Sequence, residues 1–335
     1  MRYPNAITII SAAMHLVVDG LCLCTLYLLS PVFETWNLIG IFMTYNILAF
    51  LTQPLTGHLA DHSQQKHWML LAAVLLLIAG VAVAAVTIHH GQYTSALGML
   101  PTATLLGIGN SFFHTWGGKQ VAMKTHNDIR ALGVFVSTGA FGLAIGAVFC
   151  SWALLFAFLL ILCGLAMTYL TIDFQNDAST TGTAGKWTDF RSTTKTTDGK
   201  GADEETHYAT MVATMAIAIL MLLVMLRSWV GDDFTTGIEK NDTLILAIGT
   251  VAMLGKMAGG WLSRWMGIVR AMVCVLVVVL ACMLCHNSHF AIALAGLFAI
   301  NCTMPVTLYL ANVVLKDHEG LAFGLLAAAL IVVLF

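Results

Sequence analysis

Charged residues are scarce in this chain of 335 residues: only 10% are Asp, Glu, Lys or Arg, whereas 59% are hydrophobic. A soluble domain usually carries about 25% charged residues, so this balance indicates a protein embedded in lipid. Blocks of basic or acidic residues are also missing from the hydrophobic segments, and the formal net charge is only -2. Nucleic-acid binding depends on a concentrated positive surface, and we therefore exclude it.

The sequence also lacks the usual signatures of catalytic, redox and metal sites. It contains no H-E-x-x-H, no phosphate-binding glycine loop and no nucleophile beside a base in a recognisable arrangement. All eight cysteines lie within or beside apolar runs, where they behave as small hydrophobic residues. His89 and His90 are adjacent but have no third ligand at metal spacing. We expect no disulfide framework, metal, cofactor or enzymatic activity; an intramembrane enzyme using His, Asp or Cys is the alternative from another class.

Long hydrophobic runs make up most of the chain. A helix of about 20 apolar residues crosses the hydrocarbon core of a bilayer, and eleven runs approach or exceed this length. The runs are 6–30, 37–60, 68–88, 96–115, 131–151, 152–172, 209–230, 243–263, 268–285, 290–315 and a last one from 320 to the end. The first run lacks a small-residue cleavage site and is longer than the apolar core of a signal peptide, so we interpret it as a retained span.

A polar stretch over residues 173–208 divides these runs into two groups. It is rich in Thr, Gly, Asp and Lys and has few large apolar side chains, a composition typical of a flexible linker. The sequence therefore predicts an N-terminal six-helix bundle over residues 1–172 and a C-terminal bundle over residues 209–335. Because the last run is still hydrophobic at Phe335, we expect the second bundle to be incomplete, with a twelfth helix missing from this chain.

Positive residues are distributed unevenly between the loops. If the N-terminus is cytoplasmic, the outer side carries only Arg227 and Lys240. The inner side then carries Arg2, Lys66, Lys119, Lys124, Arg130, Lys186, Arg191, Lys195, Lys200, Arg264, Arg270 and Lys316. Since Lys and Arg concentrate in cytoplasmic loops, we predict a multi-pass protein of the plasma (inner) membrane with its N-terminus and central linker in the cytoplasm.

The two groups of runs contain related turns. Gly57 and Asp61 lie at the end of the second run, and Gly260 and Arg264 lie at the end of the eighth run at the same spacing. A second correspondence relates the fourth and fifth runs to the tenth and eleventh. Asn110 and Gly133 in the first group match Asn301 and Gly324 in the second. A duplicated helical unit explains both correspondences.

This pattern resembles the major facilitator superfamily, whose G-x-x-x-D-x-x-G-R-[KR] signature after the second span is matched at Gly57, Asp61 and Lys66. Gln64 and Gln65 replace the usual Gly and Arg. The resemblance implies an all-α membrane fold of two pseudo-symmetric six-helix bundles, which transports a small molecule by alternating access and uses this turn as a gate. The predicted gating residues are Gly57, Asp61, Lys66, Lys256 and Arg264.

A narrower resemblance is to the fosmidomycin-resistance-like branch of that superfamily. It is carried by residues 15–19 in the first run, 109–114 in the fourth and 139–146 in the fifth, although Thr115 replaces the usual proline. It implies proton-coupled secondary transport, with efflux of a drug-like or anionic compound as the favoured direction. Proton-linked uptake of a small organic anion is the alternative, because both directions require the same parts.

Ionisable side chains inside a span cost about 2.5–3.5 kcal/mol on insertion scales, so each requires a reason. His15 and Asp19 are four residues apart and share one helix face, where a carboxylate beside an imidazole can exchange a proton. We predict that this pair couples transport to protons; a polar pair that only fixes helix packing is the alternative.

Six further polar residues form the predicted substrate-binding set: Asn46, Asn110, His114, Lys119, Arg227 and Asn301. Asn110 and His114 repeat the four-residue spacing, and cationic donors in a cavity favour an anionic or hydrogen-bonding substrate. Arg227 has two other interpretations, as an outer gate with Asp232 and Asp233 or as an interfacial anchor beside Trp229. For Lys256 we favour an interhelical ion pair or a gate. We expect a monomer whose partners are the small-molecule substrate, protons and the lipid bilayer.

Overall fold

The computed structural model describes residues 6–29, 35–63, 67–89, 100–181, 201–236, 241–285 and 289–333. All regular structure in these ranges is helical, which confirms the predicted all-α membrane fold. The helices are α1 (Ala6–Leu29), α2 (Thr35–Asn46), α3 (Gln53–His62), α4 (Trp68–His89), α5 (Leu100–Lys124), α6 (Ile129–Val148), α7 (Trp152–Thr181), α8 (Gly201–Asp233), α9 (Asp242–Met266), α10 (Ile268–Cys285), α11 (Phe290–Asn301), α12 (Met304–Val314) and α13 (Glu319–Ala328). Nine helical segments in the described ranges are long and apolar enough to cross a membrane.

Two of the predicted spans are interrupted by proline. The second consists of α2, a π-helical turn over Ile47–Leu51 and α3, which has Pro54 in its first turn. The tenth is divided into α11 and α12, with Pro305 in the first turn of α12. Proline lacks the backbone donor and clashes with the preceding turn, so a helix is regularly bent or interrupted where it occurs. Each pair still forms one membrane crossing, Leu38–His62 and Phe290–Val314.

Helices extend into both ends of the predicted linker. Helix α7 continues to Thr181 and α8 begins at Gly201, so residues 173–181 and 201–208 are helical, and residues 182–200 lie outside the described ranges. Asp173 is fully buried and pairs with Lys124 and, at 3.1 Å, with His67. A buried carboxylate with partners on neighbouring elements is compatible with a packed helix. Composition alone placed Asp173 in the linker because its side chain is polar. The division into two bundles joined by a linker remains a prediction.

The main contacts between the halves are made by two helix pairs: α3 packs on α13, and α6 packs on α9. A Cβ atom at Gly57 would overlap the backbone of Gly320, and a Cβ atom at Gly260 would overlap the carbonyl group of Ile129. Glycine allows helices to approach this closely. Gly57 and Gly260, which occupy equivalent positions in the sequence repeat, therefore have the same role: each allows close contact between helices of the two halves.

Candidate functional site

A cavity of 660 Å³ lies between the halves and is lined by both. Its polar lining includes His15, Asp19 and His114 from the first half and Arg227 and Lys256 from the second half. Most other lining side chains are Leu, Phe, Val and Ala. The cavity extends to Leu26 near the end of α1 and to Asp232 near the end of α8. A site of this composition fits a small molecule that is partly apolar and carries a few polar groups.

Asp19 lies at the centre of a buried cluster on the first-half wall. Its Oδ2 atom is 3.3 Å from Nε2 of His15, and its Oδ1 atom is 3.3 Å from Nε2 of His114. The side-chain amide of Asn110 donates to Oδ1 at 3.1 Å. Asp19, His15 and His114 are 8%, 5% and 7% exposed. The predicted pair on α1 is therefore joined by both polar residues predicted on α5.

The two imidazole rings also contact each other. Their Nε2 atoms are 2.8 Å apart. Nδ1 of His15 lies 2.7 Å from the carbonyl oxygen of Phe135, and Nδ1 of His114 lies 3.0 Å from the carbonyl oxygen of Asn110. Each ring is thus held at both nitrogens, which fixes its orientation.

The nitrogen and carboxylate atoms of His15, Asp19 and His114 lie within 4.8 Å of one another and are of types that bind metals. Two nitrogens bound at 2.0–2.1 Å to one tetrahedral zinc would be about 3.3 Å apart. The 2.8 Å between the two Nε2 atoms is shorter. This separation is that of a hydrogen bond, so the space between the rings fits a proton in this arrangement.

The opposite wall carries two cations, Arg227 and Lys256, and is called the cationic wall here, although Asp232 also lines the cavity near the end of α8. Arg227 is only 8% exposed, and its Nη1 atom has no hydrogen-bond partner in the described part of the chain. Among the described residues neither Arg227 nor Lys256 forms an ion pair, so neither the predicted gate of Arg227 with Asp232 and Asp233 nor the predicted ion pair of Lys256 is formed in this arrangement. Arg227 and Lys256 are close enough to interact electrostatically, and Lys256 also interacts with Asp19.

The remaining predicted substrate residues divide into two groups. Asn46 and Asn301 line the cavity, and the amide of Asn301 donates to the carbonyl of Leu297 in its own helix. Asn110 and Lys119 are not among the lining residues. Nζ of Lys119 donates to the carbonyl of Ala60 at 2.7 Å and lies 3.4 Å from Asp61, so it belongs to the turn predicted as a gate.

Asp61 joins the two halves at the end of the bundle opposite Leu26 and Asp232. Its carboxylate accepts hydrogen bonds from the backbone N–H groups of Gly320 at 2.9 Å and Leu321 at 2.8 Å, in the first turn of α13. A carboxylate at this position satisfies free helix donors and interacts favourably with the helix dipole. Arg264 interacts with Asp128, at the start of α6, in the second interface. The predicted gating residue Lys66 lies outside the described residues.

Sequence reasoning missed the role of Asp128. Its side chain caps α6 by accepting from the backbone N–H of Arg130, and it also pairs with the Arg130 side chain at 2.6 Å. An Asp before an apolar run is the ordinary sign of a helix N-cap, and it was available in the sequence. Its proximity to Arg264 depends on the packing of α6 on α9, which no local pattern records.

Comparison with known proteins gives a consistent result. The profile described as Major Facilitator Superfamily matches residues 9–332. No curated protein matches the chain. The superfamily resemblance is therefore confirmed, whereas the fosmidomycin-resistance-like branch remains a prediction.

Three solved structures illustrate the likeness in fold. A variant of the E. coli fucose:proton symporter FucP matches with a TM-score of 0.61 at 13% identity, covering 99% of this chain and 90% of that chain. FucP in the outward conformation matches with a TM-score of 0.58 at 14% identity, covering 98% of this chain and 91% of that chain. The human organic anion transporter MFSD10 (TETRAN) matches with a TM-score of 0.57 at 14% identity, covering 98% of this chain and 92% of that chain. At such identities the likeness concerns the fold.

Proposed function

Because the chain belongs to the Major Facilitator Superfamily, we propose that it is a proton-coupled secondary transporter that moves a small organic anion through the cavity between its halves by alternating access. The observation that carries this proposal is the distribution of charge across the cavity. A carboxylate with two imidazoles lies on one wall, and two cations without ion-pair partners among the described residues lie on the other.

The cationic wall supports an anionic substrate. A charge that is buried without a partner is unfavourable, and a carboxylate, sulfonate or phosphonate group would supply acceptors to Arg227 and Lys256. The apolar remainder of the cavity would bury the body of the same molecule. One protein of similar fold, MFSD10, is an organic anion transporter by name, and this agrees with the proposed substrate class.

The opposite wall supports coupling to protons. The cluster around Asp19 is close enough to Lys256 for their charges to interact. When the cluster loses a proton it becomes more negative and competes with the substrate anion for the cations. When it gains a proton this competition is removed. Proton and anion are therefore expected to bind together, which is the requirement for symport, and a proton symporter occurs among the proteins of similar fold.

Electrostatics thus favours proton-linked uptake, the alternative in the sequence prediction. Efflux of a drug-like or anionic compound is the second candidate, supported by the resemblance of residues 15–19, 109–114 and 139–146 to the narrower branch. In either direction Gly57, Asp61 and Arg264 act as parts of the gates, because they lie where the two halves meet at the closed end. We assign Lys119 to the same gate.

The test uses purified protein in liposomes that contain a pH-sensitive dye, with aromatic and aliphatic carboxylates, phosphonates and their neutral amides or esters as candidate substrates. Anions should produce proton flux, and their neutral analogues should not. Influx of anion and proton together indicates symport, and opposite movement indicates efflux by exchange. Conversion of the compound without flux would indicate an enzyme and refute the proposal.

Variants Arg227→Gln and Lys256→Gln should each lose most anion-dependent flux, since each removes one cation from the cavity. Arg270→Gln is the matched control, because Arg270 is an exposed cation at the start of α10 outside the cavity. If both cavity variants transport anions as well as the control does, the cationic wall is not the substrate site.

A further inference from the structure

The hydrogen bonds of His15 and His114 determine where their protons lie. A backbone carbonyl oxygen only accepts hydrogen bonds, so a ring nitrogen bonded to one must carry a proton. Nδ1 of His15 is bonded to the carbonyl of Phe135, and Nδ1 of His114 is bonded to the carbonyl of Asn110. Both rings therefore carry a proton at Nδ1.

This assignment has a consequence for the Nε2 atoms. In a neutral imidazole with a proton at Nδ1, Nε2 carries only a lone pair. Two lone pairs would repel each other at the 2.8 Å that separates Nε2 of His15 from Nε2 of His114. One additional proton converts this contact into a hydrogen bond between an imidazolium and an imidazole.

Asp19 is placed to balance that additional charge. Its two carboxylate oxygens each lie 3.3 Å from one of the two Nε2 atoms. The proton can therefore move from one ring to the other while the same carboxylate remains beside it. Asn110 donates to the carboxylate as well, which favours the ionised form of Asp19.

The surroundings contain few other groups that could hold the proton. On the same side of the cavity, the thiol of Cys22 on α1 and the phenol of Tyr45 on α2 are titratable groups that interact with Asp19. Helices α6 and α13 contribute Gly139 and Phe323. Across the cavity stand Arg227 on α8 and Lys256 on α9.

We infer that the coupling proton of the proposed transport cycle is shared between His15 and His114, and that Asp19 remains an ionised counter-ion throughout. This inference rests on the proposed function and changes the predicted role of His114 from substrate binding to proton binding. Loading the proton makes the cluster neutral, and releasing it leaves one negative charge facing the cationic wall. No carboxylic acid is formed in the cycle.

Spectroscopy of the full chain in lipid nanodiscs tests the inference directly. Nitrogen-15 NMR of labelled histidine should show both rings protonated at Nδ1, with one further proton on the pair that is lost at higher pH. Over the same titration, infrared difference spectra should show no carboxylic-acid carbonyl band that is removed by Asp19→Asn. An Asp19-dependent band that appears with proton loading would overturn the inference.

Transport gives a second readout, which separates proton coupling from substrate binding. His15→Gln and His114→Gln should each abolish uphill uptake driven by a proton gradient and preserve substrate counterflow, which needs no net proton movement. Counterflow should require a higher substrate concentration than in wild type, because the cluster without its proton competes with the anion for the cations. His289→Gln, an exposed histidine at the start of α11, should behave as wild type. Intact proton-driven uptake in both cluster variants contradicts the shared proton. Absence of anion transport in the wild type contradicts the proposed function instead and leaves the spectroscopic test valid.

Discussion

Gly139 provides the space in which the charged cluster forms. A Cβ atom on this residue of α6 would overlap both the carboxylate of Asp19 and the ring of His15. Glycine is therefore required there by the side chains of the neighbouring helix. The next glycines of the stripe serve backbone packing instead, with Gly142 against the carbonyl of Leu16 and Gly146 against the carbonyl of Gly20.

We predict that Gly139→Ala lowers the thermal stability of the protein in detergent and abolishes proton-coupled uptake. Inserting a methyl group into a packed site costs about 1–3 kcal/mol, and here it would also separate Asp19 from His15. Gly164→Ala is the matched control, because a Cβ atom built at Gly164 meets nothing within 4 Å beyond its chain neighbours and the adjacent backbone of its own helix. Wild-type coupling in Gly139→Ala would show that the cluster tolerates a different geometry.

At the residue scale, the sequence predicted half of the cluster well. Four-residue spacing on one helix correctly placed His15 beside Asp19. It also placed Asn110 and His114 on one face of α5. It did not predict that the two faces meet, because that contact depends on how α1, α5 and α6 cross. For the same reason it placed Lys119 in the cavity, whose lining does not include it. The assignment of His114 to the substrate remains a prediction.

At the scale of elements, the structure explains why equivalent positions of the repeat carry opposite charges, Asp61 in the first half and Arg264 in the second. Each stands four residues after a repeat glycine that lies at an interface between the halves. In the first interface the carboxylate is on α3 and caps α13. In the second interface, between α6 and α9, the carboxylate is Asp128, which caps α6, and the residue on α9 is the cation Arg264. Both interfaces bring a carboxylate to a helix N-terminus, but from opposite sides.

Asp128 gives this second interface a defined dependence on pH. Burial alone would raise the pKa of its carboxyl group, but hydrogen bonds from Arg130 and the charges of Arg130 and Arg264 lower it below the ordinary value. Because the pKa is lower in the folded state, the carboxylate stabilises the fold above its unfolded-state pKa of about 3.9. This stabilisation is lost as the pH falls through the folded-state pKa.

We therefore predict that Asp128→Asn is less stable than wild type at neutral pH by about 0.3–1 kcal/mol, the usual size of a charge effect at a helix terminus. Asn retains the helix cap, so the variant removes the charge and the hydrogen bond that Oδ2 accepts from the Arg130 side chain. The difference in thermal stability should disappear at a pH below the folded-state pKa. A difference that persists in acid would assign the effect to packing.

Helix ends and breaks followed local signals only in part. Helix α10 has the bounds predicted for the ninth run, 268–285, because Gly267 at φ 86° ends the preceding helix. In contrast, α5 continues to Lys124, past the predicted end of its apolar run at residue 115. Trp116 and Lys119 there find partners on α7 and on the α3 turn. Hydropathy reports what faces lipid, whereas a helix continues wherever its side chains are satisfied.

At the scale of the whole molecule, the same contacts occur twice. Gly133 of α6 lies against the carbonyl of Lys256, and Gly324 of α13 lies against the carbonyl of Gln53. The repeat visible in the sequence predicted these equivalences, because Gly133 and Gly324 were matched. It could not predict which state the molecule adopts. The contacts of Asp61 close one end, while the cavity extends towards the other.

Alternating access requires the closed end to open, and this can be tested at His62 and His318. The two rings stack across the interface between α3 and the start of α13, with centroids 6.0 Å apart. We predict that His62→Cys combined with His318→Cys, linked by a short bifunctional thiol reagent, loses transport because the halves can no longer separate there. Substrate binding should persist, because the cavity is still reached from its open end, and a reducible linker should restore transport on cleavage.

The controls for this experiment follow from the composition of the chain. Eight native cysteines are present, so wild type and each single variant must receive the same reagent and retain transport. If the linked double variant transports as fast as the untreated one, α3 and α13 stay together throughout the cycle. The gate would then have to lie in the other interface, between α6 and α9, and the stabilising role of Asp61 would be permanent rather than released in each cycle.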